Sequence, residues 1–290
     1  MDPLVIVFGL GVGVLVGLTG IGGCSLMTPL LVIVIGVQPV VAVGTDIAYG
    51  AITKTLGGWR HFRSGTVDMT LSKWLAVGSV PGSVMGVVAV EKIDALQGTG
   101  LLWGVAFALL LTATATLSRA LFVHNPKERH SHRLLGRSRY YAVTIGAFLG
   151  LILGITSVGS GALVGLVLIL YFRLTPHRVV GTDVFHAALM LWAAGIAHVI
   201  GGNIDYALMG TILIGSLPGV WIGERLVHRV PAAALRPALG CVMLASGLGV
   251  LTKVDVAVPP YVIVGAPLLV GAGAYALNRS RNRADALSAP

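Results

Sequence analysis

The sequence predicts an all-α polytopic membrane protein built from two inverted repeats. Each repeat is a re-entrant helical hairpin followed by three transmembrane helices, and one extra helix closes the chain. Three observations carry this. Apolar residues make up 56% of the chain and charged residues 11%, against roughly 25% charged in an ordinary soluble domain; several uncharged runs reach the ~20 residues that span a bilayer. The chain also repeats itself without gaps. Gly17-Leu18-Thr19-Gly20-Ile21-Gly22 falls on Gly154-Ile155-Thr156-Ser157-Val158-Gly159, Val43-Gly44-Thr45-Asp46 on Val180-Gly181-Thr182-Asp183, and Gly78-Ser79-Val80-Pro81-Gly82 on Gly215-Ser216-Leu217-Pro218-Gly219. Between Gly9 and Gly86 there are roughly 23 identities in about 78 aligned positions. Thirdly, homologous loops trade their cations. Arg60, Arg63 and Lys73 align with Ala197, Ile200 and Gly210, whereas Arg173, His177 and Arg178 align with Gly36, Val40 and Val41. Equivalent loops facing opposite sides of the membrane explain that swap; a parallel duplication does not.

In order, the apolar segments are 4–36, 39–59, 70–90, 95–118, 140–172, 176–200, 204–223, 234–252 and 259–277. The first of each repeat, 4–36 and 140–172, is too long for one ordinary crossing and carries a small-residue break: Thr19-Gly20-Ile21-Gly22-Gly23, and Thr156-Ser157-Val158-Gly159-Ser160-Gly161. Arg119, Lys127, Arg129, Arg133, Arg137 and Arg139 make the linker cytoplasmic, and Arg279, Arg281 and Arg283 do the same for the tail. Counting back from that tail, segment 140–172 starts and ends on the cytoplasmic side, so it is expected to be a pair of half-helices meeting at the break. Ser64 and Ser131 fall inside and Asn203 outside. The units are then 1–118, the first repeat; 119–139, the basic linker; 140–252, the second repeat; and 253–290, the extra helix and tail.

Several function classes drop out. The net charge of +9 is spread over short loops between apolar runs, where it orients the protein rather than binding nucleic acid. Cys24 and Cys241 lie far apart in apolar segments, so no disulfide framework is indicated. Met1-Asp2-Pro3 lacks the basic start of a cleaved signal. No metal spacing, phosphate loop or nucleophile elbow is present, and no cofactor or catalytic group is expected. Two intramembrane aspartates raise an aspartyl protease as a rival, but each follows Gly-Thr rather than Gly-x-Gly.

The candidate site lies at the breaks. Irregular backbone at membrane depth is tolerated only where it is buried in protein or lines a cavity. The half-helix after each break opens near Gly23 and Gly161 with free N–H donors and a positive dipole end, a neutral anion cradle. Thr19, Gly22, Gly23 and Cys24 form one cradle; Thr156, Ser157, Gly159, Ser160 and Gly161 form the other; Thr45 and Thr182 flank them as substrate-binding candidates. Bulk at Gly22 or Gly159 should then abolish transport, and bulk at Gly9 or Gly271 should matter less. Asp46 and Asp183 lie about 10 Å into their helices, and ionisable groups in such segments are functional candidates by default. They read as proton acceptors, or as carboxylates bonded to the hairpin tip. Lys54, two turns beyond Asp46, either draws an anion in, neutralises Asp46, or snorkels toward Trp59 and Arg60. His186 stands three residues after Asp183 and is placed to share its proton, or simply packs. His61, His198, Asp68 and Asp205 read as turn and cap residues. Duplicated apolar halves, each with a Gly-broken segment, imply a secondary transporter with its site between the repeats.

With these residues in hand, the chain resembles the sulfite exporter TauE/SafE family, the sulfonate-uptake permease-like membrane transporters. The likeness rests on Gly17-Leu18-Thr19-Gly20-Ile21-Gly22-Gly23 followed by Pro29, on Ala42-Val43-Gly44-Thr45, and on Arg60-His61-Phe62-Arg63-Ser64-Gly65-Thr66-Val67-Asp68, with a weaker second copy. It covers about residues 5–251. The family usually has Ser after Gly-Thr, where this chain has Asp46 and Asp183, and often a third Gly where it has Cys24. The resemblance implies transport of a small sulfur oxyanion, most commonly sulfite export, across the cytoplasmic (inner) membrane. Uptake of thiosulfate or an organosulfonate, and an anion channel, are the alternatives. The implied partners are that anion and the lipid bilayer; homo-oligomerisation is left open.

Overall fold

A computed structural model describes residues 3–19, 24–122, 136–226, 232–254 and 256–288, and the described residues are helical apart from connecting turns. The helices are α1 (Pro3–Thr19), α2 (Cys24–Leu30), α3 (Pro39–Arg63), α4 (Met69–Lys92), α5 (Thr99–Phe122), α6 (Gly136–Thr156), α7 (Ala162–Leu170), α8 (Pro176–Ile200), α9 (Tyr206–Leu226), α10 (Ala232–Leu251) and α11 (Pro260–Ser288). A π-helical turn at Leu31–Ile35 extends α2. Pro39 and Pro176 open α3 and α8, where a missing N–H costs nothing. Asp68 and Asp205 cap α4 and α9, accepting from the N–H groups of Leu71 (3.1 Å) and Leu208 (2.9 Å).

Among the described residues, six helices are long and apolar enough to cross a membrane: α4, α5, α6, α8, α9, and α10 with the turn that follows it; shorter apolar helices lie at Pro3–Leu18, Ser25–Ile35 and Pro260–Gly273. The chain is a multi-pass membrane protein. Exposed Phe107, Phe148, Leu268 and Leu269 give the outside the apolar cover that lipid contact requires. At 25 residues α3 is long enough to span but carries Asp46 and Lys54. Both are buried by neighbouring protein, at 0% and 6% exposure.

Packing crosses between the repeats. α1 lies on α9, α4 on α6, α3 on α8 and α5 on α10. The first two pairs are seams of small residues, one on each helix, in which backbones touch. On α4 against α6, a Cβ at Gly82 would overlap the Ala147 carbonyl and one at Gly150 the Ser79 carbonyl; on α9 against α1 the same holds for Gly219 with Leu10 and Gly13 with Ser216. Every one of these contacts maps onto its partner under the sequence shift. Lipid supplies no hydrophobic drive between helices, so such close approach is what holds them. Gly9 belongs to this seam, its missing Cβ 2.8 Å from the Ile212 carbonyl. The expectation that bulk at Gly9 would be mild is therefore corrected; Gly273, with nothing within 4 Å, is the open position.

Helix directions follow from the same contacts. α3 and α8, homologous helices, cross antiparallel: Ile47 lies by Gly195, and Gly58 by Phe185. α5 and α10 also run antiparallel, with Gly240 against Leu117 and Gly247 against Leu110. A helix meets its own homologue antiparallel when a two-fold axis lies perpendicular to both.

In the second hairpin the ends meet. Tyr141 near the start of α6 and Tyr171 after α7 stack edge to face at 5.7 Å. The arms are not the equal half-helices expected from sequence. α6 has 21 residues and α7 nine, about 31 and 14 Å. The α4 seam supports α6 along its whole length, so the chain breaks late.

Candidate functional site at the hairpin breaks

The Gly-Thr-Asp motifs dock each repeat on the other. Gly44 fits under the Asn203 carbonyl, where a Cβ would overlap; Gly181 fits likewise at Thr66. One residue on, the Thr45 hydroxyl accepts from Asp205 N–H at 3.0 Å, and Thr182 from Asp68 N–H at 2.9 Å. Both threonines, candidates for substrate contact, thus hold the capped starts of α9 and α4. Arg178 adds an ion pair to Asp68 at 3.6 Å. The 64–68 loop therefore shares one end of the molecule with the start of α8, and the 201–205 loop shares the other with the start of α3.

The aspartates of the motifs reach the second break, residues 157–161. Asp46 Oδ2 accepts from the Ser157 hydroxyl at 2.9 Å, and from Thr28 through its N–H (3.2 Å) and hydroxyl (2.6 Å). Asp183 Oδ1 accepts from Gly161 N–H at 3.2 Å, the donor just ahead of α7. One turn thus joins carboxylates from both repeats. Its backbone is strained: Ser157 has φ 59°, and Gly159 and Gly161 have φ 115° and 102°. A non-glycine residue here costs of order 1–2 kcal/mol, which the hydroxyl bond to Asp46 offsets. The aligned residue of the first repeat is Gly20.

Of the remaining candidates, Thr156 turns its hydroxyl back to the Ile152 carbonyl at 2.7 Å, and Ser160 is buried with its hydroxyl unpartnered among the described residues. Gly22 and Gly23 lie outside the described residues; Thr19 and Cys24 are placed only as the end of α1 and the start of α2. Of the basic linker 119–139, residues 123–135 lie outside them too. Lys54 does not snorkel. It lies on the packed side of α3, with Nζ buried and unpartnered among the described residues. His186 is bonded through Nε2 to Ser79 Oγ at 2.8 Å, not to Asp183. His198 is not a cap: its ring is buried against Gly44, and neither nitrogen has a hydrogen-bond partner among the described residues. No metal-binding cluster occurs among the described residues.

Sequence reasoning missed Thr28 and Ser79. Both are hydroxyls inside apolar helices, and Ser79 also lies in the duplicated Gly-Ser-x-Pro-Gly segment, a signal that was available.

Mostly membrane-spanning helices, with carboxylates and hydroxyls buried at the break between α6 and α7, are the setting in which a membrane transporter is expected. The chain belongs to the sulfite exporter TauE/SafE family, whose model matches residues 5–250. It is 38% identical over 253 residues to the probable membrane transporter protein YjnA of Bacillus subtilis, covering 86% of this chain and 99% of that one. Similarity extends to the probable membrane transporter protein YdhB of the same organism, 24% identical over 81% of this chain and 94% of that one. It also reaches a probable membrane transporter protein of Xylella fastidiosa, 26% identical over 87% and 97%. No solved structure matches significantly.

Proposed function

We propose that the chain is a proton-coupled secondary transporter exporting a small sulfur oxyanion, sulfite foremost, across the cytoplasmic membrane, its two repeats inverted in the bilayer. The observation that carries this is the occupancy of the second break: its Ser157 hydroxyl and Gly161 N–H are each bonded to a carboxylate. Donors that hold carboxylate oxygens suit any small oxyanion. Asp46 and Asp183 act as tethered stand-ins for the substrate. Ionised, they fill the cradle and repel a second anion. Protonated, each loses acceptor strength, and the donors pass to the incoming oxyanion, so a proton accompanies it. The antiparallel crossing of α3 and α8 supports inversion, because it gives the two hairpins equivalent access from opposite faces.

The test is flux into liposomes containing the purified protein, with sulfite, sulfate, thiosulfate and taurine, with and without a pH gradient. Sulfite should move fastest and accumulate against its gradient when protons are supplied. Flux that only ever runs downhill would make the protein a channel, and no flux of any of the four above empty liposomes would overturn the reading.

A further inference from the structure

Away from the breaks, the centre of the fold holds a buried cation with nothing to bind. α3 and α8 cross with Ile47 by Gly195 and Gly58 by Phe185, so the homologous positions Thr53 and Met190 face each other near the crossing point, and Lys54 is the next residue. Its side chain is 6% exposed, and no acceptor among the described residues lies within hydrogen-bond distance of Nζ. Asp46 stands eight residues back on α3, about 12 Å along the helix, with its Oδ2 bonded to Thr28 and Ser157.

His186 on α8 is fully buried and close enough for the Lys54 charge to act on it. Its Nε2 is taken by Ser79, and the Leu75 backbone also interacts with the ring, but Nδ1 has no hydrogen-bond partner among the described residues. An anion beside Lys54 would select the tautomer in which the Ser79 hydroxyl donates to Nε2 and Nδ1 carries the proton.

An ammonium withdrawn from water without an acceptor costs several kcal/mol, and a protein that keeps one supplies it with an anion. We propose that Lys54 and His186 form a second oxyanion-binding site between α3, α4 and α8, distinct from the hairpin breaks. It takes one small inorganic oxyanion per chain. Duplication does not produce a second copy, because the residue homologous to Lys54 is Leu191 and that homologous to His186 is Tyr49. The ligand class rests on the transport reading; the site itself rests on the buried Lys54 Nζ and His186 Nδ1, neither of which has a hydrogen-bond partner among the described residues. For an anion moving between breaks that open to opposite faces, this position is a midway stop.

The test is thermal unfolding of the full chain in detergent, titrated with sodium sulfite, sulfate and thiosulfate against gluconate, which is too bulky to enter. The unfolding temperature of the wild type should rise with at least one of the three. Lys54→Arg should keep the response. Lys54→Gln should abolish it or raise the half-maximal concentration about tenfold or more, and His186→Gln should weaken it. In gluconate alone, Lys54→Gln should unfold no lower than the wild type, since it removes an unpaired buried charge. An undiminished response in Lys54→Gln, or no wild-type response to any of the three oxyanions, overturns the site. Sulfite flux through the same preparations separates the two readings. Wild-type flux undiminished in Lys54→Gln sinks this site and leaves transport standing. An oxyanion response lost in Lys54→Gln, with no flux in the wild type, does the reverse.

Discussion

The two Gly-Thr-Asp corners share a skeleton and differ in charge chemistry. In both, the glycine passes under a loop carbonyl of the other repeat, the threonine receives the N–H of a capping aspartate, and that aspartate caps a helix. Among the described residues, Asp46 draws donors from Thr28 of its own repeat and Ser157 of the other, and Asp183 accepts the Gly161 N–H of its own. Lys54 and His186 face homologues without charge, and Arg178 pairs with Asp68 where the first repeat has Val41.

The shared skeleton breaks most severely at its seams. Gly150→Val and Gly13→Val each drive a side chain into a serine carbonyl on the facing helix. Each should cost about 3 kcal/mol, the upper range for overpacking, seen as lost folded yield and a fallen unfolding temperature, while Gly273→Val should change little. A large difference between the two seam variants would mean that the halves are not equivalent in packing.

Ser157 sharpens the difference between corners. Ser157→Ala loses the bond to Asp46, worth about 1.5–3 kcal/mol for a charged acceptor, and keeps the strained φ. Ser157→Gly loses the same bond but relieves about 1–2 kcal/mol of strain, giving what the first repeat has at Gly20. Unfolding temperatures should rank wild type above Gly above Ala. Alanine equal to wild type would show that the hydroxyl does nothing for Asp46.

Smaller effects are expected at the latches. Thr45→Val and Thr182→Val should each cost about 1–3 kcal/mol, the range for a buried donor left unmade. The costs should be similar and additive in the double variant, as for sites without shared partners. A marked inequality in denaturation would place more of the docking in one corner.

Much of this architecture was legible in the sequence because duplication is a long-range signal. The shift that aligns Gly9 with Gly146 and Ser79 with Ser216 is also the shift that relates the packed contacts. The second break was legible as a run of small residues inside an apolar segment too long for one helix; the first lies outside the described residues. The unequal arms were not. Where a helix stops depends on what lies beside it; Gly146, Gly150 and Gly154, four residues apart, mark a packing face on α6 but not that α4 is what meets it. The fate of Lys54 was equally hidden: a flexible stem leaves surface and core both open until α4 and α8 cover it. Thr45 looked like a ligand and serves as a latch, because its partner, the Asp205 N–H, comes from a loop 160 residues away.

The account stands on the claim that Asp46 and Asp183 hold the anion cradle until protons release it. The direct measurement is sulfite flux in liposomes, with and without a pH gradient, for the wild type, Asp46→Asn, Asp183→Asn and the double variant. Asparagine imitates the protonated carboxyl. The variants should therefore keep sulfite exchange but lose acceleration by the gradient. Full pH-driven flux in both single variants and in the double variant would contradict it and leave the carboxylates as structural ties.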